Sequence, residues 1–317
     1  MIGQKDMHPL VRYEPRFIEE AIFLALRGHP EAGKFHEERN RLYEMADPEE
    51  REHSFQDLHR AWFPRLGLAN AIEKALEEQP LLTSNLATCL VACAPGKRQE
   101  GADLLVRNEE GLNDKERRTV RILIRPESLL DPLVLLTFLR RELFHISDML
   151  DPQFAYKPEL PAAEAGPTHD RMLLDRYCAL WDTTIEGRMV RRGWAAESIR
   201  AQRFNEFARA FPMFGEESAQ MFTRFFDQNS HTHSELVAIA REPRTAIDGP
   251  RDTPQPGSRC PLCNFPTYEF AQNPESLPKE IIRKITQDFS EWVPSRGLCC
   301  QCADLYRART QAWVAPI

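Results

Sequence analysis

Asp131-Pro132-Leu133-Val134-Leu135-Leu136-Thr137-Phe138-Leu139-Arg140-Arg141-Glu142-Leu143-Phe144-His145-Ile146-Ser147-Asp148-Met149-Leu150-Asp151-Pro152 is the stretch on which the reading of this chain turns. Asp131 followed by Pro132 is a strong helix start, with a side-chain oxygen to cap free amides and a ring that presets the first turn. The apolar positions continue to about Leu150, where Asp151-Pro152 ends the helix. Inside it, Arg141-Glu142-Leu143-Phe144-His145 differs at one position from H-E-x-x-H. In that motif two imidazoles one helical turn apart bind Zn²⁺, and the glutamate is general base for the metal-bound water.

Working outward, Leu81 to Arg125 changes period. Ala102-Asp103-Leu104-Leu105-Val106 and Thr119-Val120-Arg121-Ile122-Leu123-Ile124 read as two strands separated by turn residues. The second precedes the helix and so resembles the substrate-aligning edge strand of zincin-type metallopeptidases, which implies an edge position for it. Cys89 and Cys93, four apart among Leu86, Leu90 and Val91, read as packing thiols on one helix face. The first ~80 residues read as helical, with Phe17, Ile18, Ala21 and Ile22 on one face and a charged, turn-rich stretch from Gly28 to Arg51. Pro64 is expected to interrupt the second helix there. His36, His53 and His59 read as surface or capping residues. Downstream, helices are expected over 170–192 (closed by Gly193), 197–211 and 216–227. His231-Thr232-His233 reads as a helix start beside a capping Ser234, and His169-Asp170 as a helix entry, with either group a candidate to supply a ligand missing from a metal site.

Pro243, Pro250, Pro254 and Pro256 mark residues 242–258 as a stiff linker. Beyond it stand Cys260-Pro261-Leu262-Cys263 and, after 35 residues, Cys299-Cys300-Gln301-Cys302. Two C-x-x-C pairs supply the four thiolates of a tetrahedral Zn²⁺ site, closed to water and hence structural. Cys299 is preferred to Cys300 because only Cys299 keeps the two-residue gap to Cys302. The pair that opens a helix, after a knuckle pair, resembles a treble-clef zinc module.

The segment 140–156, with Arg176-Tyr177, Leu180-Trp181-Asp182, Glu186-Gly187-Arg188 and Cys260-Pro261-Leu262-Cys263, resembles an uncharacterised bacterial family of zincin-like, gluzincin-type proteins. That family pairs an H-E-x-x-H helix with a C-terminal Cys₄ module, and the resemblance spans roughly residues 100–310. It implies a metallopeptidase-like domain, with Glu142 as general base and His145, Glu186 and Asp148 as the remaining metal ligands. Here the chain departs from the pattern. Arg141 stands where the first histidine belongs, and a guanidinium stays protonated and does not coordinate zinc. The sequence therefore predicts an ion pair from Arg141, to the neighbours of Glu142 or to Glu186 across the helix interface, in place of a second Zn²⁺. Peptidase activity should be weak or absent.

The expected fold is mainly α with a small β-sheet: a helical region over 1–80, a zincin-like domain over 81–241, a linker over 242–258 and the Cys₄ module over 259–317. The chain has 317 residues, 28% of them charged, and a formal net charge of −7, which argues against a basic nucleic-acid coat. The tail adds no basic face, so a protein partner fits better than DNA or RNA. The acid and proline in the opening residues do not resemble a signal peptide, and no apolar run reaches the ~20 residues of a bilayer helix. A cytoplasmic location is expected, where thiols stay reduced and available to a metal.

Overall fold

The computed structural model describes residues 8–160, 167–228, 231–243, 258–271 and 273–311. The chain divides into two compact units, residues 1–247 and 248–317. The expected linker lies almost wholly outside the described residues. The fold is mainly α-helical with a small mixed sheet, as the sequence predicts.

The first unit opens with β1 (Val11–Tyr13) and α1 (Pro15–Ala25), followed by α2 (Ala32–Leu42), α3 (Pro48–Arg65), α4 (Asn70–Glu77) and α5 (Pro80–Asn85). Then come β2 (Thr88–Cys93), β3 (Gly101–Val106), α6 (Asp114–Arg117) and β4 (Arg118–Ile124). The supposed turn-rich stretch after Gly28 thus contains α2, and Pro64 sits one residue before the end of α3 and does not break it earlier. Asp47 caps α3 by accepting the amides of Glu49 and Glu50, ahead of a proline in the first turn.

The four strands are ordered β1-β2-β4-β3, with β1, β2 and β4 parallel and β3 antiparallel to β4. Two expectations need correction. The Cys89 segment is a strand, in register Cys89↔Val120 and Val91↔Ile122. Its alternation is masked because a strand between two neighbours can carry apolar residues on both faces, which leaves a short run that periodicity alone does not resolve. The edge strands are β1 and β3, whereas β4 is internal.

Val120, Ile122 and Ile124 alternate inward from β4 and are fully buried together with Phe17, Ile22, Ile72, Val91, Leu139 and Leu143. Residues on both sides of position 80 therefore build one core. His59 belongs to it: it is buried and stacks on Phe35 at 6.0 Å, so it is not a surface group. Burial holds its pKa below the ordinary imidazole value.

The helix α7 (Pro132–Leu150) forms as its caps dictate, with Asp131 accepting the Val134 amide at 3.2 Å. It packs on this core through Leu135, Leu139 and Leu143, while Phe144 turns toward a second core. That core is built by α8 (Pro167–Arg191), α9 (Ile199–Ala210), α10 (Ser218–Asp227) and α11 (His233–Arg241). Gly193, at φ 68°, closes α8 while the Trp194 amide reaches back to the Met189 carbonyl at 2.8 Å. Thr232, and not Ser234, caps α11.

Gly187 fixes how closely α8 approaches α10. A Cβ added there would lie 1.8 Å from the Phe226 carbonyl oxygen, a backbone atom that has no flexible end to move aside. Gly187→Ala is therefore expected to force the two helices apart and destabilise the first unit by roughly 1–3 kcal/mol, the usual overpacking range. Urea denaturation of the full chain checks this; an unchanged midpoint would contradict the close approach.

Candidate metal centre and an arginine-filled helix interface

In the second unit a two-strand hairpin, β5 (Ser258–Arg259) with β6 (Pro266–Thr267), carries the first cysteine pair. The helices α12 (Lys279–Asp288) and α13 (Cys300–Gln311) follow. The hairpin turns tightly because Asn264 takes a left-handed φ of 60° and donates its amide to the Cys260 carbonyl. The second pair straddles the start of α13. Around the sulfurs pack Leu262, Ile281, Ile285, Trp292, Leu298 and Tyr306.

The Sγ atoms of Cys260, Cys263, Cys299 and Cys302 all lie within 4.8 Å of one another, with Cys260–Cys302 and Cys263–Cys299 both at 3.9 Å. A tetrahedral shell with sulfur about 2.3 Å from zinc requires S···S separations of about 3.8 Å, so the four donors fit that ion. Cys300 stays outside the set, its amide on the Glu269 carbonyl. The amides of Cys299 and Cys302 point at the Sγ atoms of Cys260 and Cys299, each at 3.3 Å. Burial pushes the Cys260 thiol up, but backbone amides of Cys263, Cys299 and Leu262 outweigh it and bring its pKa down to about 7. Burial and neighbouring sulfurs push Cys302 the other way. Four such groups can be thiolates together only around a cation, so binding a metal must release protons. Zn²⁺ would be held by these four cysteines with no position left for substrate.

The RExxH helix meets α8 and α9 in a different arrangement. Arg141, His145 and Asp148 project from one face of α7, and Trp181, Asp182, Glu186 and Arg188 from the facing side of α8. His145 Nε2 lies 3.0 Å from Asp182 Oδ1 and packs edge-on against Trp181. Arg141 contacts the same Asp182 oxygen at 3.0 Å and Glu186 at 3.5 Å. A second cation completes the group. Arg203 of α9 donates to both oxygens of Glu186, with Nε at 2.7 Å, and reaches Asp182 Oδ2 at 3.3 Å. Glu186 is 3% and Arg203 7% exposed, so neither charge is screened by water.

The remaining candidates are placed as follows. Asp148 is engaged elsewhere: Arg188 donates to both of its oxygens and Trp181 Nε1 adds a third bond at 2.7 Å. Glu142 points along α7 toward β3, its Oε2 lying 3.6 Å from where a Cβ on Gly101 would be. His233 is buried against Tyr177, whose hydroxyl lies 2.8 Å from Nδ1, and His231 pairs with Glu235 at 3.2 Å. Among the described residues the Cys₄ set is the only group of three or more His, Cys, Asp or Glu donors spaced for a metal. His145, Glu186 and Asp148 do not form one.

Asp182 and Arg203 went unassigned in the sequence. Arg203 left a trace there: it lies between Ile199 and Phe207 at intervals of four, an arginine on the apolar stripe of its helix. A cation in such a position needs a buried carboxylate.

No family model matches this sequence, and comparisons with curated proteins and with solved structures give no match either.

Two outcomes follow from this geometry. Purified protein should carry one zinc per chain by elemental analysis, and Cys260→Ser together with Cys302→Ser should remove it and unfold the second unit, because structural zinc supplies its folding free energy. For Asp182, burial pushes the carboxyl up, but the hydrogen bond from His145 and the charges of Arg141 and Arg203 prevail and lower its pKa to about 2, against an ordinary 3.8. Its contribution, of order 2 kcal/mol, is therefore complete above pH 4 and disappears as pH falls through 2. Asp182→Asn should lower stability at neutral pH and flatten the pH dependence between 4 and 2, read by denaturant unfolding across that range.

Proposed function

We propose that the first unit is a peptidase-like scaffold without a catalytic metal, acting on proteins by binding them and not by cutting them, and that the second carries structural zinc. One observation supports this above the others. The two carboxylates that face the RExxH helix are both occupied by guanidinium groups, Arg141 from α7 and Arg203 from α9. A dication entering there would have to displace two fixed positive charges from groups with little water to replace them. Glu142 then has no metal-bound water to deprotonate, and His145 is engaged by Asp182.

The zincin-like reading rests on arrangement: a helix bearing the degenerate motif, an antiparallel strand at the sheet edge beside it, and a following helix that brings Glu186 to Arg141. The binding role rests on β3. Its outer side has no sheet partner among the described residues, and Leu105 and Val106 are exposed there. An extended segment of a partner protein can add as a further strand, with main-chain hydrogen bonds for affinity.

Metal counting tests the reading. Wild-type protein and Arg141→His alone should each bind one zinc, because Arg203 still holds Glu186. Arg141→His combined with Arg203→Met should bind a second, since it supplies an imidazole and frees the carboxylate. Two zinc ions in wild type, or cleavage of an unfolded protein substrate that chelators abolish, would overturn the proposal.

A further inference from the structure

The end of α8 carries a stacked patch that takes no part in the Arg141 network. In the turn that closes this helix the Gly193 amide also donates to the Val190 carbonyl, at 2.9 Å. With Gly193 left-handed, the turn sets Trp194 against Phe144 of α7, their ring centroids 5.4 Å apart. Three guanidinium groups lie over these two rings. Arg188 is 4.8 Å from the Phe144 centroid and Arg140 is 4.8 Å from that of Trp194. Arg192 lies over both, at 4.8 and 4.9 Å.

Two of the three cations have carboxylates. Glu78 accepts two bonds from Arg140, at 2.7 and 2.6 Å, and Asp148 accepts two from Arg188, at 2.7 and 2.5 Å. Arg192 is different: among the described residues it has no carboxylate in ion-pair contact. The patch therefore holds three cations against two anions. Partial burial, and then Arg188, keep the Arg192 pKa below its ordinary value, and Asp148 and Glu78 offset this only in part. The residue is exposed, yet the rings beside it restrict its side chain, so engaging its fork of N–H donors costs less conformational freedom.

A second donor stands beside it. Trp194 is half-buried, and its Nε1–H has no acceptor among the described residues. That nitrogen is not one of the unpartnered atoms sealed from solvent. The indoles of Trp62, Trp181 and Trp292, by contrast, each donate within the protein.

We propose that Arg192 and Trp194 together bind a carboxylate, the guanidinium donating to its oxygens and the indole N–H adding a further bond. An excess of one positive charge suits a monoanion, and the planar fork matches a planar carboxylate. A small free acid and an acidic side chain of a peptide share this chemistry. The inference stands independently of the peptidase-like reading.

Two-dimensional ¹H–¹⁵N spectra of the full-length protein, titrated with sodium acetate against sodium chloride at fixed ionic strength, test it. The Trp194 Nε1–H and Arg192 Nε–H resonances should move saturably with acetate and remain unmoved by chloride. Arg192→Gln should weaken binding by roughly tenfold to a hundredfold, the loss expected for a charged hydrogen bond, read at the indole. Trp194→Phe keeps an aromatic face for the arginines and removes only the donor; it should weaken binding by roughly twofold to tenfold, read at Arg192. Acetyl-alanyl-glutamyl-alanine amide separates the two sources: tighter binding than acetate assigns the carboxylate to a polypeptide, and equal or weaker binding assigns it to a free acid. A response to acetate no different from that to chloride, tighter binding of inorganic phosphate than of acetate, or undiminished affinity in either variant would each overturn the proposal.

Discussion

The first unit is organised around carboxylates that cannot be left alone. Asp182 and Glu186 lie on α8 where it crosses α7, largely out of contact with water, and an isolated buried carboxylate is among the most unfavourable groups a protein can contain. Two arginines from two other helices compensate them. This ties α7, α8 and α9 together by geometry that apolar packing alone would not specify, because guanidinium–carboxylate bonding is directional and sensitive to register. A second pair repeats the device two turns along α7, where Asp148 meets Arg188 and the indole of Trp181. The helix that bears the degenerate motif is thereby tied to its neighbours by charge.

Much of this was legible before any coordinates. The limits of α7 follow from Asp131-Pro132 and Asp151-Pro152, and they differ by at most one residue from the observed helix. The pairing of Arg141 across the helix interface follows from one substitution in a motif whose chemistry is known. The Cys₄ set follows from spacing alone, down to the exclusion of Cys300. In each case a local pattern determines the outcome.

The rest depends on contacts distant in sequence. Cys89 to Cys93 is spaced like a helix face, yet it becomes a strand because β1 and β4 are available on both sides to take its main-chain groups. Val11 to Tyr13 is too short to announce itself and is a strand only through β2. His59 reads as polar in isolation and is buried because Phe35 and Phe23 close over it. Arg203, 62 residues beyond Arg141 in the chain, enters the charge network through the packing of α9 on α8. No spacing rule connects those two residues, although the apolar neighbours of Arg203 marked it as a cation pointing inward.

A guanidinium built into a polypeptide cannot be chelated, diluted or oxidised away. The seam between α7 and α8 therefore holds its positive charge whatever the mineral content of its surroundings. The four sulfurs near the C-terminus have no such guarantee, since any cation between them would be an ion drawn from outside. Scarcity of the metal that such a set can hold would then act on the smaller unit, residues 248–317, and not on the seam, so that the chain would feel trace-metal supply through only one of its parts.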